Sequence, residues 1–377
     1  MKVLMLSIDA KIFESGSAVQ DLMREYGTVV DELHIVVYTK PGFSETQIAP
    51  NVWAYPTNTA YKPVYFLDGY RLGRMLILEK GIDLITSQEA LTNIVGLRLK
   101  RNFNVPLQAQ VHVDFASPEF VNESFGNRVR YFLYKETLKR VDGIRVVSES
   151  IRKSIEAIGI QTPIAVLPIF VDIANIESLP TISLHNEHPE FDFIVAMVGR
   201  LAIEKDYETA LGAMAELLKV HPKAGLVIFG EGVRESALRT LSRDLDIEDS
   251  VVFAGFHGNV LYYVKTADAV MVTSRYEGYG RMLVEAAALG RAIVSTDVGV
   301  VGDILKNNDS VLVCPLGDED CFKKSLERLL NDTGERERLG AAALTCAKNT
   351  AISKPEYLSR MRRSFEVCRA NRATSQH

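Results

Sequence analysis

Residues 267–290 read ADAVMVTSRYEGYGRMLVEAAALG, and they join a short apolar run to an amphipathic run through a turn with two glycines. The apolar run AVMVTS has the length and composition of a buried strand. The run RMLVEAAALG has helical spacing and ends at Gly290, a residue suited to a helix C-terminus. The turn therefore lies between the carboxyl end of a strand and the amino end of a helix, as in a β-α unit.

The same alternation extends over almost the whole chain. Apolar runs such as KVLMLSI and ELHIVVYT, with AVQDLMREYG between them, predict strands joined by a helix. The polar residues 173–190 interrupt the pattern and predict a linker, after which a second alternation begins with FIVAMVG. We therefore expect an α/β fold of two doubly wound parallel-sheet, Rossmann-like domains that face a cleft. The predicted boundaries are 1–172 and 191–353 for the domains, with a C-terminal helix at 354–377 that crosses back to the first domain.

Composition excludes several classes of protein. The chain has 377 residues, 47% hydrophobic and 24% charged, which is typical of a globular protein with room for two domains. Its net charge of −5 gives no overall attraction to nucleic acid. No apolar stretch has the length of a signal peptide core or of a membrane span, so we expect a cytoplasmic protein. Without a C-x-x-C pair, all four cysteines are expected to be reduced and no metal site is expected; they are Cys314, Cys321, Cys346 and Cys368.

The glycine turn holds two carboxylates eight positions apart, Glu277 in the turn and Glu285 in the helix. Glycines allow the backbone to approach a ligand closely, and amides at a helix start favour phosphate. A carboxylate would repel phosphate, but it accepts hydrogen bonds from hydroxyl groups. A ligand with both a diphosphate and sugar hydroxyls suits this arrangement. The alternative interpretation is a loop acid followed by a glutamate that favours the helix dipole.

Four motifs occur in order along the second half: VGRLAIEKDYETALGAMAEL (198–217), LVIFGEG (226–232), VVFAGF (251–256) and YEGYGRMLVEAAALG. Together they resemble the retaining glycosyltransferases of family 4 with the GT-B fold, whose E-x7-E signature the last motif matches. The resemblance covers nearly the whole chain. It implies transfer of a sugar from a UDP- or GDP-linked donor to an acceptor hydroxyl by a front-face route, without a metal or another cofactor.

The resemblance also implies roles for individual residues. It assigns the donor phosphates to Arg200 and Lys205, the transferred sugar to Glu277, the ribose to Glu285 and a place near the donor sugar to His112. Fixed cations would stabilise the charge that builds up on a departing diphosphate. The remaining donor-binding residues are expected at Gly16, Gly199, Gly230, Phe256, Gly278, Tyr279 and Gly280. The loop at Gly16 departs from the family's glycine pair, since serines flank a single glycine.

Several other functions are compatible with parts of this pattern. Paired carboxylates suggest a glycosidase, but both would lie on the donor side beside phosphate-binding cations, which argues against that enzyme. A dinucleotide oxidoreductase is disfavoured because no G-x-G-x-x-G follows the first strand. Two alternatives stay open: a GT-B sugar-nucleotide epimerase or hydrolase, and a non-catalytic partner subunit that binds nucleotide sugars.

Residues 126–153 give the one indication of the acceptor. They contain eight Lys or Arg against three Asp or Glu, with Tyr131, Phe132 and Tyr134 among them. One interpretation is a solvated helix face over a packed aromatic stripe. The other is peripheral contact with the inner face of an anionic membrane that presents a lipid-linked acceptor, as in polysaccharide or glycolipid biosynthesis.

Overall fold

A computed structural model describes residues 1–61 and 64–374 of the chain. The chain divides into two compact units. The first contains Met1–Pro168 together with the C-terminal segment that begins at Ser353, and the second is Ile169–Ile352. Among the helices of the described ranges, none combines the length and the hydropathy needed to cross a membrane.

The first unit is built on an eight-stranded sheet with the order β3-β4-β2-β1-β5-β6-β7-β8. Its strands pair in parallel except β3, which runs antiparallel to β4. Central strands such as β1 are buried along nearly their whole length, which is why they read as continuous apolar runs. The strands are β1 (Lys2–Ser7), β2 (Glu32–Val37), β3 (Thr46–Ala49), β4 (Val52–Pro56), β5 (Leu84–Ser87), β6 (Leu107–Val111), β7 (Gly143–Val146) and β8 (Ile164–Val166).

Six helices connect these strands, and local sequence signals set their ends. Serine side chains cap α1, α4, α5 and α6 by accepting a backbone N–H from the first turn. Gly81, with φ 68°, ends α2 in the left-handed conformation that glycine adopts without strain. The helices are α1 (Ala18–Gly27), α2 (Tyr65–Lys80), α3 (Ala90–Phe103), α4 (Pro118–Glu123), α5 (Phe125–Leu138) and α6 (Glu149–Ala157).

The second unit has a six-stranded, wholly parallel sheet with the order β11-β10-β9-β12-β13-β14. Its strands are β9 (Phe193–Val198), β10 (Ala224–Phe229), β11 (Val251–Gly255), β12 (Ala269–Val272), β13 (Ala292–Ser295) and β14 (Leu312–Val313). Its helices are α7 (Ile173–Ser178), α8 (Leu184–Glu187), α9 (Tyr207–Leu218), α10 (Glu235–Asp244), α11 (Leu261–Val264), α12 (Arg281–Ala288), α13 (Glu319–Asn331) and α14 (Thr333–Thr350).

The strand order of the second unit contains a reversal beside β9. The chain leaves β9 toward β10 on one side and later returns to β12 on the other side of β9. In open parallel sheets a crevice forms where the order reverses, outside the carboxyl ends of the strands, and ligands bind there. The loops after β9 and β12 therefore flank the expected ligand position of this unit.

The last helix, α15 (Lys354–Thr374), belongs to the first unit. One face of it is buried at Tyr357, Met361, Phe365 and Cys368, a helical spacing of four, four and three residues. Its Ser364 carbonyl accepts a 2.9 Å hydrogen bond from the side chain of Gln108 on β6. The predicted C-terminal helix is therefore present and packs on the first sheet.

Residues 173–190, expected as a linker, form α7 and α8 and pack within the second unit. Asp172 caps α7 and Ser183 caps α8 through side-chain hydrogen bonds to backbone N–H groups. Ile173 and Ile176 are buried, so α7 has an apolar face. Each helix is too short for its periodicity to be recognised in sequence.

Two expectations about individual residues are wrong. Cys314 and Cys321 form a disulfide, because the end of β14 and the start of α13 bring their Cα atoms to 5.6 Å; Cys346 and Cys368 are free. Arg145, counted among the cations of a surface at 126–153, is instead buried on β7. Its guanidinium donates to the side chain of Gln110 at 2.9 Å.

Candidate donor-binding site

Lys205 and Glu277 form an ion pair at the reversal of strand order in the second sheet. Lys205 ends a 3-10 turn that follows β9, and Glu277 lies in the loop that follows β12. Both side chains are only partly exposed. The structure thus brings together two residues that are 72 positions apart in sequence and that were both predicted to contact the donor.

Neighbouring hydroxyl groups hold this pair in place. The Ser274 hydroxyl donates a hydrogen bond to the same carboxylate oxygen of Glu277, at 2.9 Å. The Thr273 hydroxyl donates to the Lys205 carbonyl at 2.8 Å, which ties the loop after β12 to the loop after β9. The loop after β12 therefore holds both the backbone of Lys205 and the carboxylate of Glu277.

Arg200 lies two residues after β9 and extends into solvent, with its side chain 80% exposed. Its guanidinium pairs with Glu204 at 2.7 Å. An exposed ion pair of this kind contributes little to stability. The guanidinium can therefore exchange Glu204 for an anionic ligand at small energetic cost.

The loops after β9 and β10 pack backbone against backbone. A Cβ atom on Gly230 would lie 1.9 Å from the Gly199 carbonyl oxygen, and one on Gly232 would lie 2.3 Å from the Leu201 carbonyl oxygen. Gly230 also has φ 142°, a conformation that L side chains rarely adopt. The hydroxyl of Tyr207 donates to the Gly199 carbonyl at 3.0 Å. Glycine is therefore required here by close approach, as the GEG motif suggests.

The turn before α12, Gly278 to Gly280, is buried at the carboxyl end of β12. Gly280, with φ 73°, is the N-cap of α12 and has no side chain to cap the first turn. The Tyr279 side chain is buried, so its contribution to a ligand would come from the backbone. A Cβ atom on Gly299 would lie 2.5 Å from the Tyr279 carbonyl oxygen, so the neighbouring loop packs tightly on the turn. An uncapped helix start suits an anionic group.

Glu285 is on α12 and is 9% exposed. Its carboxylate accepts a 2.7 Å hydrogen bond from Nε of Arg281, one turn earlier. Burial raises the pKa of Glu285, and the charge of Arg281 opposes that shift. Glu285 and Arg281 line a cavity of about 250 Å³ together with Asp172, Asn175 and Tyr262. The two signature glutamates therefore have different partners and different surroundings.

The other predicted residues are placed as follows. Phe256 follows β11 and is exposed, and Gly278 lies in the turn before α12. In the first unit, Gly16, with φ 77°, precedes α1, and His112 directly follows β6. The His112 side chain is exposed to solvent.

Sequence reasoning missed four polar groups that support the site. Arg281 could have been found, because an Arg and a Glu four residues apart on a helix face each other. Ser274, Asn175 on α7 and the α7 cap Asp172 carry no comparable signal. They reach Glu277 and the Glu285 cavity only through the fold. Within residues 1–61 and 64–374 no cluster of three or more His, Cys, Asp or Glu could hold a metal ion.

Two family models match the chain. Residues 181–345 match the family described as glycosyl transferases group 1, and residues 16–175 match glycosyltransferase family 4. The chain belongs to glycosyltransferase family 4. The matched segments lie mainly in the second and first units respectively, and the GT-B fold predicted from sequence is confirmed.

The known proteins that are similar to this chain have names that describe different reactions. A glycogen synthase of Mycobacterium tuberculosis is 30% identical over 148 residues, which are 39% of this chain and 36% of that protein. An N-acetyl-alpha-D-glucosaminyl L-malate synthase of Bacillus anthracis is 21% identical over 340 residues, 87% of either chain. The Anabaena protein Alr3699/HepE, solved in complex with UDP, superimposes with a TM-score of 0.74 at 17% identity, covering 97% of this chain and all of the other. The first relatives are thus matched over little more than a third of their length.

Proposed function

We propose that this protein transfers a sugar from a nucleoside-diphosphate sugar to an acceptor hydroxyl, with retention of the anomeric configuration. The observation that carries the proposal is the Lys205–Glu277 ion pair at the reversal of strand order in the second sheet. It joins a cation suited to a diphosphate with a carboxylate suited to sugar hydroxyls. Both groups lie beside glycine loops in which backbone packs closely on backbone.

Donor binding would separate this pair. The Lys205 ammonium group would move to the diphosphate, with Arg200 beside it, and both would stabilise the charge that develops as the sugar bond breaks. Glu277 would then accept hydrogen bonds from the transferred sugar. Glu285 would hold the ribose at the cavity it shares with Arg281. UDP is the first nucleotide to test, because the similar Anabaena protein was solved with UDP and with UDP-glucose.

The other residues predicted to bind the donor are proposed to contact it as the family resemblance implies. Backbone groups at Gly199, Gly230, Gly278 and Gly280 would contact the donor, and Phe256 would border the base. For the transfer itself, the departing phosphate would take the proton of the acceptor hydroxyl. No protein nucleophile is then needed, and the enzyme's contribution is orientation and stabilisation of the leaving group. We propose a glycan or lipid-linked acceptor.

The test is a screen of nucleotide sugars by thermal stabilisation, followed by turnover of the stabilising donor with candidate acceptors. Lys205→Met should reduce turnover by about a hundredfold or more, since a lost charge-stabilising group typically costs that much. Lys219→Met, at the far end of α9, is the matched control and should leave turnover unchanged. We expect excess chelator to have no effect, because Arg200 and Lys205 supply the positive charge.

Three results would count against the proposal. Release of a new free sugar from the donor alone, without any acceptor product, would favour an epimerase or hydrolase. Donor binding without turnover across the acceptor panel would favour a partner subunit. A rate that returns after chelation only with added Mn²⁺ or Mg²⁺ would contradict the assignment of the leaving group to Arg200 and Lys205.

A further inference from the structure

Exposed apolar side chains concentrate on three neighbouring helices of the first unit. Helix α3 packs against both α2 and α5. Half of the sixteen large apolar side chains that are exposed in the described chain lie on these helices, which hold only 44 of the 377 residues. They are Leu67, Met75, Leu78, Leu91, Ile94, Phe125, Val129 and Phe132. Concentration of this kind on one folded unit indicates a contact surface.

These side chains point away from the sheet. The buried positions of α2 and α3 face the sheet and include glycines, such as Gly73, which packs against Leu4 of β1, and Gly96, which packs against Leu107 of β6. On α5 the sheet-facing Tyr134 is buried and stacks on Phe115 at 4.4 Å, whereas Phe132 is 63% exposed. The aromatic run of α5 is therefore divided between core and surface. We call the outer surface of these three helices the α2-α3-α5 face.

The α2-α3-α5 face is also strongly basic. The three helices carry nine Lys or Arg against three Asp or Glu, a net charge of +6 in a chain of net charge −5. The basic residues are Arg71, Arg74, Lys80, Arg98, Lys100, Arg101, Arg128, Arg130 and Lys135. The exposed cations include Arg128, between Phe125 and Phe132 on the same side of α5. Cations and apolar side chains are thus interleaved.

A basic cavity adjoins the face at the C-terminal end of α3. It has a volume of about 750 Å³, and its lining includes Arg98, Lys100, Arg101, Arg140 and Arg372. Asp142 lies within ion-pair distance of Lys100 and Arg372, and Glu136 lies 3.6 Å from Arg140. Arg98 stacks over the Tyr70 ring of α2, with its guanidinium 5.0 Å from the ring centre. The cavity therefore retains an excess of positive charge beside the apolar side chains.

We propose that the α2-α3-α5 face docks on an anionic lipid surface. Aliphatic and aromatic side chains enter the interfacial layer of the bilayer, while the surrounding Lys and Arg contact lipid phosphates. A second copy of the chain is a poorer occupant, because two basic faces repel each other across a symmetric interface. This surface replaces the predicted one at 126–153, of which only the α5 part is on the face. The proposal concerns binding alone and is tested without donor or acceptor.

The experiment is flotation of the full-length protein with vesicles of phosphatidylcholine, with and without anionic phosphatidylglycerol. We expect binding to the mixed vesicles that falls as salt rises, and weak binding to the neutral ones. Arg128→Glu and Arg101→Glu should each weaken binding about fivefold or more, since one cation near the surface contributes about that factor. The double variant Phe125→Ser, Phe132→Ser removes two exposed rings and should also weaken binding.

Matched controls come from exposed positions of the second unit. Arg243→Glu and Val220→Ser make the same kinds of change away from the face and should bind as the wild type does. Absence of binding to anionic vesicles would overturn the proposal, as would equal losses in control and face variants. A concentration-dependent dimer in sedimentation, abolished by the Phe125 and Phe132 double variant, would assign the face to a second copy instead.

Discussion

Lys205, Glu277 and Glu285 form two separate ionic groupings in the second unit. Glu277 shares its carboxylate with a lysine and a serine, and Glu285 shares its own with Arg281 in the wall of a cavity. A carboxylate that contacts a part of the donor that does not react contributes equally to ground and transition states. A carboxylate that contacts the transferred sugar contributes differently to the ground state and to the transition state.

We therefore expect Glu→Gln to have different kinetic effects at the two positions. Glu285→Gln should mainly raise KM for the donor, and Glu277→Gln should mainly lower kcat. Steady-state kinetics with varied donor, together with calorimetric titration of the nucleoside diphosphate, measure the two effects. Equal loss of nucleoside diphosphate affinity in both variants would show that the division between sugar and ribose is wrong.

Glu285 should also reduce stability at neutral pH. Burial raises its pKa above the ordinary value of 4.5, so the unfolded chain releases this proton at a lower pH than the folded chain does. The ionised carboxylate then lowers the free energy of unfolding above the folded-state pKa, and the effect disappears below about 4.5. We expect Glu285→Gln to raise Tm at pH 7, with a difference from wild type that shrinks as pH falls.

Differential scanning calorimetry across that pH range is the measurement. Glu337→Gln, an exposed glutamate on α14, is the control and should leave Tm unchanged. A lower Tm for Glu285→Gln at pH 7 would mean that the hydrogen bond from Arg281 outweighs the cost of burial.

At the scale of single residues, the sequence predicts those groups whose spacing is local. Glu277 and Glu285 were found because eight positions separate them across one turn. Arg145 was misplaced because a basic residue is normally exposed, whereas this one is held inside by Gln110 and Tyr357. Such partners come from distant elements, so spacing alone does not reveal them.

Among the structural elements, the loops after β9 and β10 tolerate little change because their backbones pack closely on each other. Gly230→Ala would place a methyl group 1.9 Å from the Gly199 carbonyl oxygen and would require φ 142° of an L residue. We expect it to lower the free energy of unfolding by more than about 2 kcal/mol, because the clash adds to the strain of the conformation. Denaturant unfolding of the purified variant measures this.

Comparison with Gly317→Ala separates the effect of backbone strain from the effect of a steric clash. Gly317 has φ 74°, but a Cβ atom there would meet no heavy atom within 4 Å. This variant should cost about 1–2 kcal/mol, the strain of a left-handed residue alone. Equal losses at both positions would show that the loops move apart to accept the methyl group.

Helices and strands could be predicted where their sequence pattern is clear. They were harder to predict where tertiary contacts determine whether the element forms. The strands β9, β10 and β12 and the helix α12 follow directly from apolar runs and glycine punctuation. Helix α7 did not, because its six residues depend on a cap from Asp172 and on burial of two isoleucines. The bond between Cys314 and Cys321 joins a strand end to a helix start, and that distance is a property of the fold.

For the molecule as a whole, the first unit depends on α15, which follows the second unit in sequence. Phe365 on α15 is 1% exposed, whereas Val367 two residues later is 46% exposed. We expect Phe365→Ala to lower the free energy of unfolding of the first unit by about 3–5 kcal/mol. Val367→Ala should change it by less than about 0.5 kcal/mol.

Hydrogen exchange resolved by segment is the measurement, because a chain of two units need not unfold in one step. Exchange should accelerate in β6 and β7, which α15 covers, and should stay unchanged in the second sheet. Acceleration in the second sheet alone would contradict the assignment of α15 to the first unit.

The position of α15 also sets an order of events during synthesis. A ribosome delivers residues 1–168 before the second unit, but the helix that covers Gln108 and Arg145 emerges only after the second unit. One side of the sheet in the first unit therefore stays uncovered while the second unit is translated and folds as a continuous segment. The later-encoded half of the protein is complete before the earlier one, and an interrupted or prematurely terminated chain leaves its N-terminal half unfinished.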